Sequence, residues 1–207
     1  MSGQNSDLLV TLGEVAYEAV DQSGPNGDFI YVDIGSIDRE NKRIVNAKTL
    51  SAADAPTRAK QVLRAGDVLI SMTRPNLNAV ALVPEDLDGA IGSTGFCVLR
   101  SKWIQPKFLF WLVQTERFVE AMCAVVQGAL YPAVRPKDIA AFQFVLQSKS
   151  NQTRIIEKLE ELLSGLEDGV AELKAAQRKL RQYRQSLLKA AVDGTLNRAG
   201  NPGGRFG

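Results

Sequence analysis

Arg74-Pro75-Asn76-Leu77-Asn78 directly follows an apolar run, and its side chains are those that read nucleic-acid bases best. Arginine makes two hydrogen bonds to guanine and asparagine two to adenine. Proline stiffens such a loop, although proline and asparagine also form ordinary turns for their own conformational reasons. Gly92-Ser93-Thr94-Gly95 could offer hydroxyl and backbone N–H groups to a phosphate, or simply connect two strands. Tyr131-Pro132-Ala133-Val134-Arg135-Pro136-Lys137 is a second rigid loop, carrying an aromatic ring and two bases. The charge around these loops is uneven. Residues 1–38 hold seven acids and no base, whereas residues 39–64 hold seven bases (Arg39, Lys42, Arg43, Lys48, Arg58, Lys60 and Arg64) against Glu40 and Asp54. A phosphate backbone would be drawn to the second stretch and repelled by the first. Solvated loop charges would give the same composition.

Catalysis has little to work with. The 207 residues contain no histidine, the commonest general base and metal ligand. No G-x-G-x-x-G follows a strand, no Walker A sequence occurs, and the Asn/Asp-Pro-Pro-aromatic loop typical of amino-methyltransferases is missing. Glu172-Leu173-Lys174 has the E-x-K form of many nuclease metal sites, but without an upstream acidic strand it reads as a solvated helix face. Cys97 and Cys123 sit in apolar contexts without a partner at metal-ligand spacing, so both are expected to be reduced structural thiols. The expectation is a protein with no catalytic residue, metal or cofactor of its own. No apolar run approaches the length of a bilayer span, and residues 1–9 have neither a cationic start nor an apolar block, which predicts a cytoplasmic protein without a membrane partner.

These loops need a scaffold. Strand character appears at residues 29–34, 68–72, 79–83, 96–99 and 142–146, separated by Gly, Pro, Asn and Asp clusters. Residues 106–126 offer a core helix that Pro106 can open and Gly128 can close. The predicted class is α+β: a mixed α and β domain with a small sheet core over residues 1–150, a long coiled-coil-forming helix over 151–193, and a Gly-rich disordered tail over 194–207. Ser150 or Asn151 is expected to cap the long helix.

Along that helix leucine recurs at Leu159, Leu166, Leu173, Leu180 and Leu187, a seven-residue period that lets one stripe bury against a partner helix. With Leu159 at position a, Ile155, Leu162, Gly169, Ala176, Tyr183 and Ala190 fall at d, and Ile156, Leu163 and Val170 widen the stripe. Charge reverses along the same helix. Residues 152–172 carry six acids and two bases, and residues 173–192 carry six bases and no acid. Two copies in parallel would oppose like charges; antiparallel copies would match opposite ones. The helix dipole also favours acids first and bases last, though only in the end turns.

Several of these segments match a known pattern. Leu12-Gly13-Glu14-Val15, Tyr31-Val32-Asp33-Ile34-Gly35-Ser36-Ile37, Leu63-Arg64-Ala65-Gly66-Asp67-Val68-Leu69-Ile70-Ser71 and Arg74-Pro75-Asn76, in that order, resemble the target recognition domain of type I restriction-modification specificity subunits. Ser93-Thr94-Gly95-Phe96-Cys97-Val98-Leu99-Arg100 and Tyr131-Pro132-Ala133-Val134-Arg135 resemble its later part, and residues 152–188 resemble the conserved spacer helix. The resemblance implies a non-catalytic scaffold that reads one half of a split site in double-stranded DNA. It also implies docking to methyltransferase subunits, which bind S-adenosylmethionine, and to restriction subunits, which use ATP. The family's usual member has two recognition domains and two antiparallel helices. This chain resembles half of one, so a second copy of itself is the expected partner, paired through Leu159, Leu162, Leu166, Leu173, Leu180, Tyr183 and Leu187. Side-chain chemistry and loop position nominate Arg74, Asn76 and Asn78 for base edges and Tyr131, Arg135 and Lys137 as a second loop. Thr94, Lys42, Arg43, Arg58 and Lys60 are nominated for phosphates. A coiled-coil adaptor with a protein-binding domain is the alternative.

Overall fold

The computed structural model describes residues 8–126 and 132–193. The chain divides into two compact units, Met1–Ile156 and Glu157–Gly207. The first begins with β1 (Leu8–Thr11), which pairs antiparallel with the last strand of the unit and so ties its two ends together. Thr11 opens the short α1 (Leu12–Val15) through a capping box: its hydroxyl accepts from the Glu14 N–H, and the Glu14 carboxylate accepts from the Thr11 N–H at 2.6 Å. The bond from the Thr11 N–H, together with one from the Thr11 hydroxyl at 2.8 Å, holds the Glu14 carboxyl below its usual range.

The middle of the unit is β. Strand β2 (Phe29–Val32) is followed by a single 3-10 turn at Ile34–Ser36 and the hairpin β3 (Ile37–Asp38) and β4 (Arg43–Ile44). Strands β5 (Lys48–Leu50) and β6 (Ala59–Val62) come next, then β7 (Val68–Ser71), β8 (Val80–Leu82), β9 (Ile91–Ser93) and β10 (Phe96–Leu99). They form a four-stranded sheet in the order β5-β2-β9-β6 and a three-stranded sheet in the order β10-β7-β8. Every residue of β7 and β10 is buried, as their unbroken apolar runs require. Close packing explains two glycines here. A Cβ on Gly92 would stand 2.8 Å from Leu63, and one on Gly95 would stand 2.8 Å from Ile34.

The expected strand over 29–34 stops at Val32, because Asp33 caps the 3-10 turn through the Ser36 N–H and hydroxyl. The single helix expected over 106–126 is two, α2 (Pro106–Leu112) and α3 (Glu116–Ala124). Thr115 separates them: its hydroxyl donates to the Leu112 carbonyl and accepts from the Phe118 N–H, offering the backbone an alternative to the helical ladder. Gly128 and the tail 194–207 lie outside the described residues. After α3 come α4 (Pro136–Ala140) and β11 (Gln143–Leu146), the partner of β1.

One buried ion pair braces this unit. Arg100 donates from Nε and Nη2 to the two oxygens of Asp67 at 2.7 and 2.6 Å, and also reaches the Val62 carbonyl. The Asp67 side chain is 1% exposed and that of Arg100 11%. The segments Leu63 to Ser71 and Ser93 to Arg100 are therefore stapled together. Cys97 is buried, as expected; Cys123 is exposed on α3, a correction to its apolar sequence context.

The long helix α5 (Lys149–Val192) starts two or three residues earlier than a cap at Ser150 or Asn151 would place it. Ser148 is the cap: its hydroxyl accepts from the Asn151 N–H and its carbonyl accepts from the Gln152 N–H. Gln152 is 1% exposed and fully used, accepting from the Gln105 N–H at 2.8 Å and donating to the Gln147 carbonyl at 2.8 Å. Ile156 is buried and Ile155 packs beside it against the domain core, so these two belong to that core and the wide apolar face at the start of the helix has its cause there. From Glu157 on, the second unit is helix to Val192; α5 as a whole has 44 residues, which at about 1.5 Å each span about 66 Å.

Candidate nucleic-acid interface

Three surface hollows meet at Gly35, in the turn between β2 and β3. The first, about 470 Å³, is lined by Asn46, Lys48 and Arg58. The second, about 330 Å³, is lined by Arg39, Thr73 and Arg74. The third, about 710 Å³, is lined by Arg39, Asn46 and Asn76. Together they make one concave face with four cations and two side-chain amides around an exposed glycine. Among the described residues the guanidinium groups of Arg39, Arg58 and Arg74 have no acidic partner.

Acids also line this face: Glu40 is exposed, and the oxygens of the other two are engaged. Asp33 accepts from Ser36 and lies 3.5 Å from the Lys48 ammonium. Asp38 accepts from the N–H groups of Glu40 and Asn41 and from the Asn41 side chain at 2.6 Å. The bonds from Asn41 hold the Asp38 carboxyl below its usual range. Free cations beside carboxylates bound to their own turns suit a polyanion better than a small cation.

The turn that carries Arg74 is well anchored. Pro75–Leu77 forms a 3-10 turn with Pro75 buried, and it packs against α3. The Arg74 N–H donates to the Pro132 carbonyl at 2.8 Å, and the Val134 N–H to the Met72 carbonyl at 2.9 Å. Thr73 and Ala133 form an isolated antiparallel bridge. The 74–78 and 132–137 loops are thereby joined, although about 60 residues of chain separate them.

The nominated residues fall into groups. Arg74, Asn76 and Arg58 line the Gly35 face, with Arg74 and Asn76 exposed and Asn78 half-buried at the end of the turn. Arg135 and Lys137 are exposed at the start of α4; Arg135 is engaged with Asp138 at 3.1 Å, and these bonds lower the Asp138 pKa. Tyr131 lies outside the described residues. Thr94 lies elsewhere, on a pocket of about 280 Å³ with Tyr17 and Cys97, while its N–H donates to the Arg58 carbonyl. Burial pushes the Cys97 thiol and the Tyr17 hydroxyl both up to about 12. Arg43 and Lys60 are exposed on β4 and β6 and line none of the three hollows. Lys42 points inward: its Nζ donates to the Asn78 carbonyl at 2.6 Å, and partial burial lowers its pKa. Arg39, Asn46 and Lys48 were not nominated; the density of bases in residues 39–64 was the signal that could have found Arg39 and Lys48, and no charge signal marks Asn46.

On the long helix, Leu162, Leu166, Leu173, Leu180, Tyr183 and Leu187 are exposed and Leu159 is half-buried. Glu172 and Lys174 are exposed on the same helix. Among the described residues no group of three metal-ligating side chains could hold an ion.

No family model matches the chain. Individual proteins do. The chain is 24% identical over 165 residues to the Haemophilus influenzae type I restriction enzyme HindI specificity subunit, covering 78% of this chain and 35% of that protein. It is 33% identical over 95 residues to the Escherichia coli EcoDI specificity subunit, covering 46% of this chain and 21% of that one. The crystal structure of the Thermoanaerobacter tengcongensis HsdS subunit superposes on 96% of the chain with a TM-score of 0.74 and 34% identity. The chain is a relative of the type I specificity subunits. A second solved chain, from a study of complex assembly and conformational transition in a type I R-M system, matches 97% of it with a TM-score of 0.72 and 34% identity. Each match covers 51% of the solved chain, so this chain spans about half the length of its solved specificity-subunit relatives.

That relationship gives the resembling segments a physical meaning. Leu12, Leu63 and Leu99 are fully buried, Glu14 caps α1, and Asp67 and Arg100 form the buried pair. Most of what makes the chain look like a specificity subunit is scaffold. Of the exposed residues in those segments, Gly35, Arg74 and Asn76 border the concave face, whereas Gly13, Arg64 and Arg135 line none of its three hollows.

Proposed function

We propose that the chain is a non-catalytic DNA-recognition subunit of a type I restriction-modification system, reading one half of a split duplex site. The observation that carries this reading is the Gly35 face, where Arg39, Lys48, Arg58 and Arg74 surround two amides on a fold shared with HsdS. Arg74, Asn76 and Asn46 are the side chains of that face suited to base edges; Arg39, Lys48 and Arg58 suit phosphates. Arg135 and Lys137 flank the same loop pair, with Arg43 and Lys60 as outer cations.

Two copies pair antiparallel through the heptad leucines of α5, setting the acidic residues 157–172 of one copy against the basic residues 174–189 of the other. The exposure of the stripe from Leu162 to Leu187 and its charge reversal support the pairing. Identical halves imply a palindromic split target. The helix pair also docks the methyltransferase subunits, and S-adenosylmethionine and ATP bind only on the partner subunits. The site of action is the cytoplasm; no described helix is long and apolar enough to cross a membrane.

Selection from randomised duplexes by the full chain, with and without its methyltransferase partner, tests this. A split, two-fold symmetric consensus is the expected result. Enrichment of no sequence under either condition would sink it.

A further inference from the structure

Among the described residues, three other than glycine have positive φ: Lys42 at 52°, Arg74 at 50° and Asn78 at 42°. A Cβ disfavours that region, so such residues are held there by their surroundings, and they gather at functional sites. All three meet in one place. Arg74 and Asn78 are the two ends of the turn Pro75–Leu77, and Lys42 ends the turn that joins β3 to β4. The Lys42 Nζ donates to the Asn78 carbonyl and so ties the two turns together. At its other end the 74–78 turn is fixed by the bond from the Arg74 N–H to the Pro132 carbonyl.

An ammonium that is half-buried and already bonded inward at 2.6 Å is poorly placed to meet a phosphate outside. It is well placed to decide where Arg74 and Asn76 point. Resting on the DNA-reading function above, we propose that Lys42 is a positioning residue of base recognition: its bond to the Asn78 carbonyl locks the 74–78 turn in the conformation that presents Arg74 and Asn76 to base edges. A turn held in a disfavoured conformation relaxes when its tether goes. Lys42 therefore governs which sequence is preferred more than how tightly DNA is held.

The test compares the full chain with its Lys42→Met and Lys42→Arg variants on randomised duplexes at several salt concentrations, with thermal melting of each sample. Lys42→Met should lose about tenfold in preference at one or two base pairs of the half-site while the slope of log affinity against log salt stays unchanged. Lys42→Arg, which can donate to the same carbonyl, should restore most of that preference. Lys42→Gln, polar and too short to reach, should behave as Met does if the Met variant folds poorly. A phosphate contact would act in the opposite way: all sequences weaken together and the salt slope falls by about one, which would overturn the proposal. It would be overturned as well by an Arg variant as relaxed as Met, or by preference lost evenly at every position along with melting temperature. Failure of the unsubstituted chain to select any sequence would instead sink the DNA-reading function itself.

Discussion

Leucine lives in opposite environments in the two units. Leu12, Leu63, Leu69, Leu99 and Leu109 are at most 1% exposed inside the first, whereas Leu162, Leu166, Leu173 and Leu180 are 57%, 64%, 72% and 68% exposed in the second. One residue type thus builds a closed core in one region and an open stripe in the other. The first unit satisfies its own apolar and polar groups, down to the bidentate Asp67–Arg100 pair. The helix satisfies its backbone and some of its polar side chains, such as the Lys158–Glu161 pair, and leaves its leucines open. The first unit carries its own core, and the second leaves its leucine stripe open.

That contrast can be broken most severely at the helix. Leu173→Glu with Leu180→Glu places four carboxylates in a paired seam and removes four leucines, each contributing roughly 1.5 to 3 kcal/mol when buried. Sedimentation at micromolar concentration should show monomers, while the melting of the 1–156 unit stays unchanged. Next in size, Asp67→Ala leaves the Arg100 guanidinium buried and unpaired. It should lower the stability of the first unit by about 3 to 5 kcal/mol in urea titrations and leave pairing intact. Arg74→Ala acts on neither core nor seam; in equilibrium DNA binding it should cost about 1 to 3 kcal/mol and relax one position of the half-site. The last effect is absent at neutral pH and concerns alkaline conditions alone. The Cys97 thiol ordinarily titrates near 9 and burial pushes it up to about 12, so the stability it contributes is complete below pH 9 and is lost as pH rises from there toward 12. Cys97→Ala should flatten the alkaline fall of the urea midpoint for the first unit only.

What the residues disclosed in advance follows from the range of the signal. The long helix was legible because its period repeats over some forty residues, and β7 and β10 because their apolar runs are continuous. Strands β5 and β6 were not: Lys48-Thr49-Leu50 and Ala59-Lys60-Gln61-Val62 are polar, and Gln61 is buried only because its amide donates to the Ser93 and Phe96 carbonyls across the sheet. The helix break at Thr115 turned on one hydroxyl, which periodicity cannot see. For the interface, Arg74 and Asn76 were recognisable by their chemistry. Arg39 and Lys48 were hidden among other bases, since only the fold brings the β2–β3 turn beside the 74–78 loop. The same limit assigned Lys42 to a phosphate by its charge, when its hydrogen bond is made to the protein's own backbone.

The central claim is that one self-contained reading domain and one open helix make half of a symmetric reader. Methylation mapping of the genome in cells that carry this chain with its methyltransferase tests it most directly. The account predicts modification at a palindromic target split by a spacer, with a spacer that lengthens and half-sites that persist when whole heptads are inserted into α5. An asymmetric target, or an unsplit one, would contradict it.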